Sequence, residues 1–244
     1  MGEESARPRV LAAGPPAVLS WSSGKDAAYA LHKVRQERTF NVVALLTAVV
    51  SPSGRVATHG VRGDLLTAQA AETGLPLIRV ELPPSPSNVV YEKAMAHALR
   101  RFRTQGIRHI VFGDLFLDDI RRYRERQLAK LDLECVFPLW GRDTLGLARE
   151  IVAAGLRARF VAVDTGKIPA EWAGRPFDRK WLSEVPPEVD PCGENGEFHS
   201  FVTGGPMFRR SIPVRIDGRG VRNGMATVDL VSRSGPAPTH VSPS

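Results

Sequence analysis

The sequence predicts an α/β protein in which a parallel sheet carries helices on both faces and a smaller α+β domain follows. Three observations lead there. Short apolar runs alternate with stretches of helical period through the first half of the 244 residues. Those runs are near-continuously apolar, as strands buried on both faces are, rather than alternately polar. From about Pro138 the texture changes to prolines, tryptophans and long polar loops, which marks a second unit.

Residues 1–16, rich in Gly, Ala, Pro and Arg, read as a flexible leader without the basic-then-apolar order of a secretory signal. Ala17 to Trp21 is the first strand. Asp26 to Glu37 follows as a helix with Ala27, Ala30, Leu31 and Val34 on one side. The β-branched run Asn41 to Val50 is a long strand. Leu65 to Thr73 is a short helix closed by Gly74, and Leu77 to Val80 is a strand. Pro83 to Pro86 is a rigid link. A helix over Asn88 to Arg103, a strand over Arg108 to Phe112, a helix over Asp118 to Leu131 and a strand over Glu134 to Phe137 complete a first domain at 17–137.

The second domain, 138–232, opens with a helix over Asp143 to Ala154, Asp143 being a suitable N-cap. Ala158 to Val163, Ile212 to Ile216 and Ala226 to Val231 are its strands. Between the first two of these lies the loop Asp190 to His199. Residues 233–244, rich in Pro and Ser, are expected to be a disordered tail.

Composition excludes some classes. No apolar run approaches the roughly 20 residues that span a bilayer. Cys135 and Cys192 lie far apart without metal-ligand spacing, which fits a reducing cytoplasm. The net charge of +7 comes mainly from arginine, with no RNA-binding signature of interleaved aromatics. Nucleic acid is therefore not the expected main partner, and no membrane is expected.

The stretch Val18 to Asp26 carries the most chemistry. An apolar strand runs into the small-residue turn Ser22-Ser23-Gly24 and then into a helix starting at Lys25-Asp26. Small residues let successive N–H groups converge, and the helix points its positive end at the same place, a nest for phosphate oxygens. The order strand, S-x-G-K-D, helix resembles the pyrophosphatase loop (PP-loop) of enzymes that release pyrophosphate from ATP and leave AMP on a substrate. It lacks the G-x-x-x-x-G-K-[ST] pattern of the Walker loop. In an open parallel sheet, ligands bind beyond the carboxyl ends of strands, and Gly113-Asp114 lies at another such end.

Four further pieces extend the resemblance over roughly Val18 to Val214. They are His59-Gly60-Val61-Arg62, Gly113-Asp114, Pro138-Leu139-Trp140-Gly141-Arg142-Asp143 and Cys192-Gly193-Glu194-Asn195-Gly196-Glu197-Phe198-His199. Together they resemble the diphthine–ammonia ligase family of PP-loop ATP-binding proteins, the last piece its E-G-G-E signature. The resemblance implies a nucleotide-binding domain of the adenine nucleotide α-hydrolase (HUP) type and a substrate-binding domain. The implied reaction makes an amide. A carboxylate attacks the ATP α-phosphate, pyrophosphate leaves, and ammonia displaces AMP from the acyl-adenylate. ATP and Mg²⁺ are thus implied, with ammonia and a carboxylate acceptor as partners. That acceptor is diphthine on elongation factor 2 if the source is archaeal or eukaryotic, and unknown if bacterial; G-E-N-G-E-F-H looks like the bacterial form.

The residues then take expected roles. Ser22, Ser23 and Gly24 supply amides to phosphate and Lys25 a positive charge. Asp26 and Asp114 suit Mg²⁺, which takes one or two carboxylates plus phosphate oxygens. A cation at a helix N-terminus is unfavourable unless an anion compensates it, whereas a carboxylate suits a first turn with no ligand at all. Gly113 lets backbone approach the nucleotide, or simply makes the turn. His59 and Arg62 contact phosphate or substrate. Glu194 and Glu197, with Asn195, Gly196 and His199, bind ammonium or a cationic group or act as base when ammonia attacks, a solvated acidic turn being the plain alternative. Trp140 and Arg142 line the interdomain cleft or support its wall. Cys192, with no paired base in view, reads as a packing thiol.

Three departures from the family pattern matter. Ser23 stands where the loop has a glycine, which fits if that residue need not take positive φ. Ala27 replaces the loop's last serine and removes a hydroxyl able to hold phosphate or metal. Asn195 replaces a glycine in the second signature and can still adopt left-handed backbone. A PP-loop enzyme that modifies tRNA and a non-catalytic nucleotide-binding module are the alternative readings.

Overall fold

The structure, a computed structural model, describes residues 14–233. The expected leader and tail therefore fall almost entirely outside the described residues. The first half contains β1 (Pro16–Ser20), α1 (Lys25–Glu37), β2 (Asn41–Val50), β3 (Arg55–Val56), α2 (Gly63–Thr73), β4 (Leu77–Leu82), α3 (Asn88–Thr104), β5 (His109–Val111), α4 (Asp118–Ala129) and β6 (Glu134–Val136). Strands β4, β2, β1, β5 and β6 lie side by side in that order, all parallel, and β3 folds back antiparallel on the end of β2.

Strand β1 explains why the apolar runs read as continuous. Ala17 and Leu19 point to one face, Val18 to the other, and all three are fully buried. The first face packs on α1 and α2 through Ala27, Leu31, Val34, Leu65 and Leu66; the second packs on α3 and α4 through Leu99, Phe102 and Leu128. The expected helix-on-both-faces architecture is therefore present.

The second half adds α5 (Thr144–Ala153), β7 (Arg157–Asp164), β8 (Pro176–Phe177), α6 (Arg179–Glu184), β9 (Phe198–Gly204), β10 (Val214–Arg222) and β11 (Met225–Ser232). These strands form an antiparallel sheet in the order β10-β11-β7-β8, with β9 on the other side of β7. Asp143 caps α5 as expected, its side chain accepting the Gly146 N–H at 2.6 Å.

Two expectations need correction here. The loop ending at His199 stops earlier, because Phe198-His199-Ser200-Phe201 is already strand, its Phe198 packed in an aromatic cluster with Phe160 and Trp181 and its Phe201 fully buried in the core. The strand expected over Ile212 to Ile216 instead runs Val214–Arg222. Pro213 has no N–H to donate at its start, and Asn223-Gly224 closes a two-residue hairpin at its end. Both turn residues have positive φ, 52° and 76°, as a type I′ turn requires.

One apolar cluster joins the sheets. Leu19 and Leu31 of the first half belong to the same buried core as Phe201, Val202 and Met207 of the second. This shared core fixes β9 against the start of α1, where the site lies.

Candidate active site

The turn after β1 is held by the second sheet. The Trp21 indole N–H donates to Gln69 Oε1 at 2.9 Å, and Gln69 Nε2 donates to the carbonyls of Ser23 and Val202 at 3.0 and 2.7 Å. Gln69 itself is fully buried. The Ser23 carbonyl also accepts the Val202 N–H at 3.1 Å. So fixed, Ser23 adopts φ 72°, so the condition under which serine would fit there without strain is not met. A non-glycine residue there costs about 1–2 kcal/mol, which the anchored carbonyl offsets.

Helix α1 begins without a local side-chain cap at Gly24. Its cap comes from far away in sequence: Ser200 Oγ of β9 accepts the Lys25 N–H at 3.1 Å, and Ser22 Oγ accepts the Gly24 N–H at 3.3 Å. Two glycines here are close approaches. A Cβ on Gly113 would lie 2.7 Å from the Ala27 nitrogen and the Asp26 carbonyl carbon, so the end of β5 seats directly on the first turn of α1. A Cβ on Gly24 would come 2.6 Å from His59 Cε1.

These elements enclose a cleft of about 340 Å³ at the carboxyl edge of the parallel sheet, roofed by the segment before β9. Lys25 is buried and spends its ammonium within the protein. It donates to Asp26 Oδ1 and Oδ2 at 2.9 and 2.8 Å and to the Cys192 carbonyl. Burial works against its charge, but Asp26, Cys192 and Glu194 outweigh that and hold its pKa above the ordinary lysine value. Burial pushes the Asp26 carboxyl up against the pull of Lys25. Glu194 accepts the Leu115 N–H at 3.2 Å; burial, together with the nearby Asp26 charge, raises its pKa to about 8.

At the other end, Asp114 pairs with Arg124 of α4 at 2.8 Å, and the guanidinium lies 4.4 Å from the centre of the Phe112 ring. Opposite, His59 and His199 stack at 4.8 Å between ring centres. Burial, His199 and Lys25 lower the His59 pKa to about 3, and burial with Lys25 lowers that of His199, so both rings are neutral at pH 7. Among the described residues no group of three or more His, Cys, Asp or Glu stands ready to hold a metal ion.

Of the residues expected at the site, Ser22, Lys25, Asp26, His59, Gly113, Asp114, Glu194, Gly196 and His199 line this one cleft. Gly24 sits against His59 behind this lining, and Ser23 is buried. The others lie elsewhere. Arg62 joins Arg55 in a double fork on Asp229 of β11. Arg142 pairs with Glu150 at 2.7 Å, and Trp140 lies under the Arg121 guanidinium. Glu197 is buried and braces its own loop, Oε1 accepting the Asp190 N–H and the exposed Asn195 amide. Cys192 also lines the cleft as a buried thiol, and burial raises its pKa.

Arg124, Ser200, Thr47, Tyr91 and Met95 also line the cleft, unforeseen from the sequence. For Arg124 a signal existed: it follows Ile120 by four residues and precedes the buried Leu128 by four, which puts it on the inward face of its helix. Tyr91, Met95 and Phe112 also open onto an adjoining apolar recess of about 140 Å³ between α3 and α4.

Fold and cleft define an α/β protein in which a strand–loop–helix turn on a parallel sheet is completed by an antiparallel second sheet. The particular family follows from comparison. The diphthamide synthase N-terminal domain matches residues 16–134 and the diphthamide synthase C-terminal domain residues 143–229, so the chain belongs to the diphthamide synthase family. Curated relatives bear the name diphthine–ammonia ligase. Those of Bos taurus and Homo sapiens are each 31% identical over 104 residues, covering 40% of this chain and 39% of the relative. That of Danio rerio is 32% identical over 102 residues, covering 39% of this chain and 40% of the relative. The matched segment thus spans about two fifths of the curated relatives' length. Among the described residues no helix is long and apolar enough to cross a membrane.

Proposed function

We propose that the chain is a cytoplasmic, ATP-dependent, AMP-forming carbon–nitrogen ligase that adenylates a carboxylate and transfers ammonia to it. The observation that carries this is convergence: the Ser22–Asp26 loop, Gly113-Asp114 and the Glu194–His199 segment, far apart in sequence, line one cleft. In this reading the loop amides and the N-terminus of α1 receive the polyphosphate, where charge builds as pyrophosphate leaves. The apolar recess beside Tyr91 and Met95 takes the purine. The oxygens of Asp26 and Asp114 are donors of the kind Mg²⁺ prefers, and each is within the cleft; bound there, Mg²⁺ would neutralise phosphate charge. Glu194, held by burial and Asp26 at a pKa of about 8, is ionised in a minority of molecules at neutral pH, and that carboxylate takes the proton as ammonium becomes ammonia.

The acceptor follows the relatives' name: diphthine where it exists, or another carboxylate in a bacterial source. The test measures AMP and pyrophosphate formed from ATP–Mg²⁺ with ammonium, for the wild type and Asp26→Asn. Purified elongation factor 2 bearing diphthine, or a soluble extract, serves as acceptor. Acceptor-stimulated AMP that the variant loses supports the ligase. One observation favours a second reading: the Ala27 methyl occupies the cleft wall where the loop pattern has a hydroxyl. ATP binding without AMP under every condition would make the protein a non-catalytic nucleotide-binding module.

A further inference from the structure

The stacked imidazoles of His59 and His199 are titratable groups of the cleft that no ion pair occupies. Lys25 is taken by Asp26, and Arg124 by Asp114. His59 lies directly on Gly24 at the start of α1, and its Nδ1 is buried without a hydrogen-bond partner. His199, on β9, is next in sequence to Ser200, which caps the same helix. The pair thus faces the point where loop amides and the helix terminus concentrate positive potential.

An imidazolium at that point is unfavourable while the cleft holds no anion, since Lys25 and the helix terminus already supply positive charge. Two imidazoliums stacked at 4.8 Å would also repel each other, so the pair holds one proton at most. A polyphosphate at the loop reverses this balance. We propose that the His59–His199 pair takes up one proton when a nucleoside triphosphate is seated and passes it to the pyrophosphate that departs. The inference rests on the nucleotide reading above.

The proton comes from solvent on binding. When the acceptor carboxylate oxygen bonds to the α-phosphorus, the bond from that phosphorus to the bridging oxygen breaks. The imidazolium gives its proton to the pyrophosphate, which leaves as its monoprotonated form, and the ring returns to neutral. Nothing is oxidised or reduced. The groups that bear on the pair are Lys25 from α1, which opposes protonation of both rings, and the Ser200 backbone of β9, whose hydrogen bond favours it at His59.

Isothermal calorimetry of α,β-methylene-ATP with Mg²⁺, run at pH 7.5 in buffers of different ionisation enthalpy, reads the proton directly. The expected result is uptake of about one proton per nucleotide by the wild type, as for an imidazole raised through neutrality. AMP, which lacks the outer phosphates, is expected to give none. The double variant His59→Asn/His199→Asn should bind with no uptake and affinity about tenfold lower, a loss of about 1.4 kcal/mol. Binding heat in the wild type that does not vary with buffer, or unchanged uptake in the variant, overturns the proposal while leaving nucleotide binding intact. Absence of any binding heat in the wild type would remove the nucleotide reading and this inference together. Should the variant not fold, ¹⁵N-histidine spectra of the wild type decide: imidazolium shifts on adding nucleotide support the proposal, and two neutral rings in the complex refute it.

Discussion

Replacing Lys25 by Met tests whether the loop and the roof of the cleft are held by one buried cation. Methionine keeps the length and apolar stem, so packing against Phe177 and Phe198, whose ring centres lie 5.7 and 5.1 Å from the ammonium, survives. What goes is charge. Asp26 loses two hydrogen bonds, the Cys192 carbonyl loses its donor, and Asp26 faces Glu194 unshielded. Breaking a fully buried pair costs about 3–5 kcal/mol. The Asp26 side chain keeps 24% exposure and can protonate, so the expected loss is smaller, about 2–3 kcal/mol. For a protein of this size that lowers Tm by about 5–10 °C.

Urea denaturation at pH 7.5 and 5.5 measures this loss. In the variant the folded-state pKa of Asp26 rises further above its unfolded value, so the folded form binds more protons and the deficit grows with pH. The double variant Lys25→Met/Asp26→Asn removes both charges and should recover about 1–2 kcal/mol relative to Lys25→Met alone. A loss below about 0.5 kcal/mol, or singles that add in the double variant, would refute the reasoning.

Gly113→Ala puts a methyl 2.7 Å from the backbone of Asp26 and Ala27, and neither atom belongs to a flexible side chain. The expected cost is about 1–3 kcal/mol by thermal melting, with nucleotide affinity reduced because the first turn of α1 must shift; an unchanged melt would contradict the close approach. Glu194→Gln should remove a pH dependence. With its folded pKa about 8, above the ordinary carboxylate value, wild-type Glu194 keeps a proton that the unfolded chain has lost, so stability falls as pH rises through that window and levels off above it. Urea midpoints of the Gln variant should show a flatter profile between pH 5 and 8; parallel profiles would mean that Glu194 ionises normally.

Much of the first sheet could be read from the sequence because its central strands are buried on both faces, which turns Pro16–Ser20 and Asn41–Val50 into apolar runs with helices between the strands. The second sheet was harder for a physical reason. Strand β9 places Ser200 in the interior to cap a helix 175 residues away and leaves His199 facing the cleft, so its letters look like a polar loop. The edge strand β10, paired with β11, is largely exposed, and only the Asn223-Gly224 turn announces it. At the site, the loop and the signature glutamate were legible as local patterns. The roles of Glu197 and Arg62 were not: a carboxylate bracing its own loop and an arginine forked onto β11 differ from ligand-binding residues only in what the fold brings beside them.

The charge layout of the cleft carries a consequence for how a nucleotide would enter. Each lining cation already has a carboxylate: Lys25 has Asp26, and Arg124 has Asp114. The resting cleft is therefore not a bare basic hole, and its pull on phosphate comes from loop amides, the end of α1 and the hydroxyls around it. On the proposed reading, the same pairs serve both components of a magnesium nucleotide. As Lys25 turns to phosphate, the Asp26 carboxylate becomes available to the divalent ion, so neither charge passes through an uncompensated buried state. Asp114 and Arg124 can divide in the same way. An arrangement of this kind favours the metal-bound nucleotide over the free one, since free nucleotide offers a partner for the cations and none for the carboxylates they leave behind.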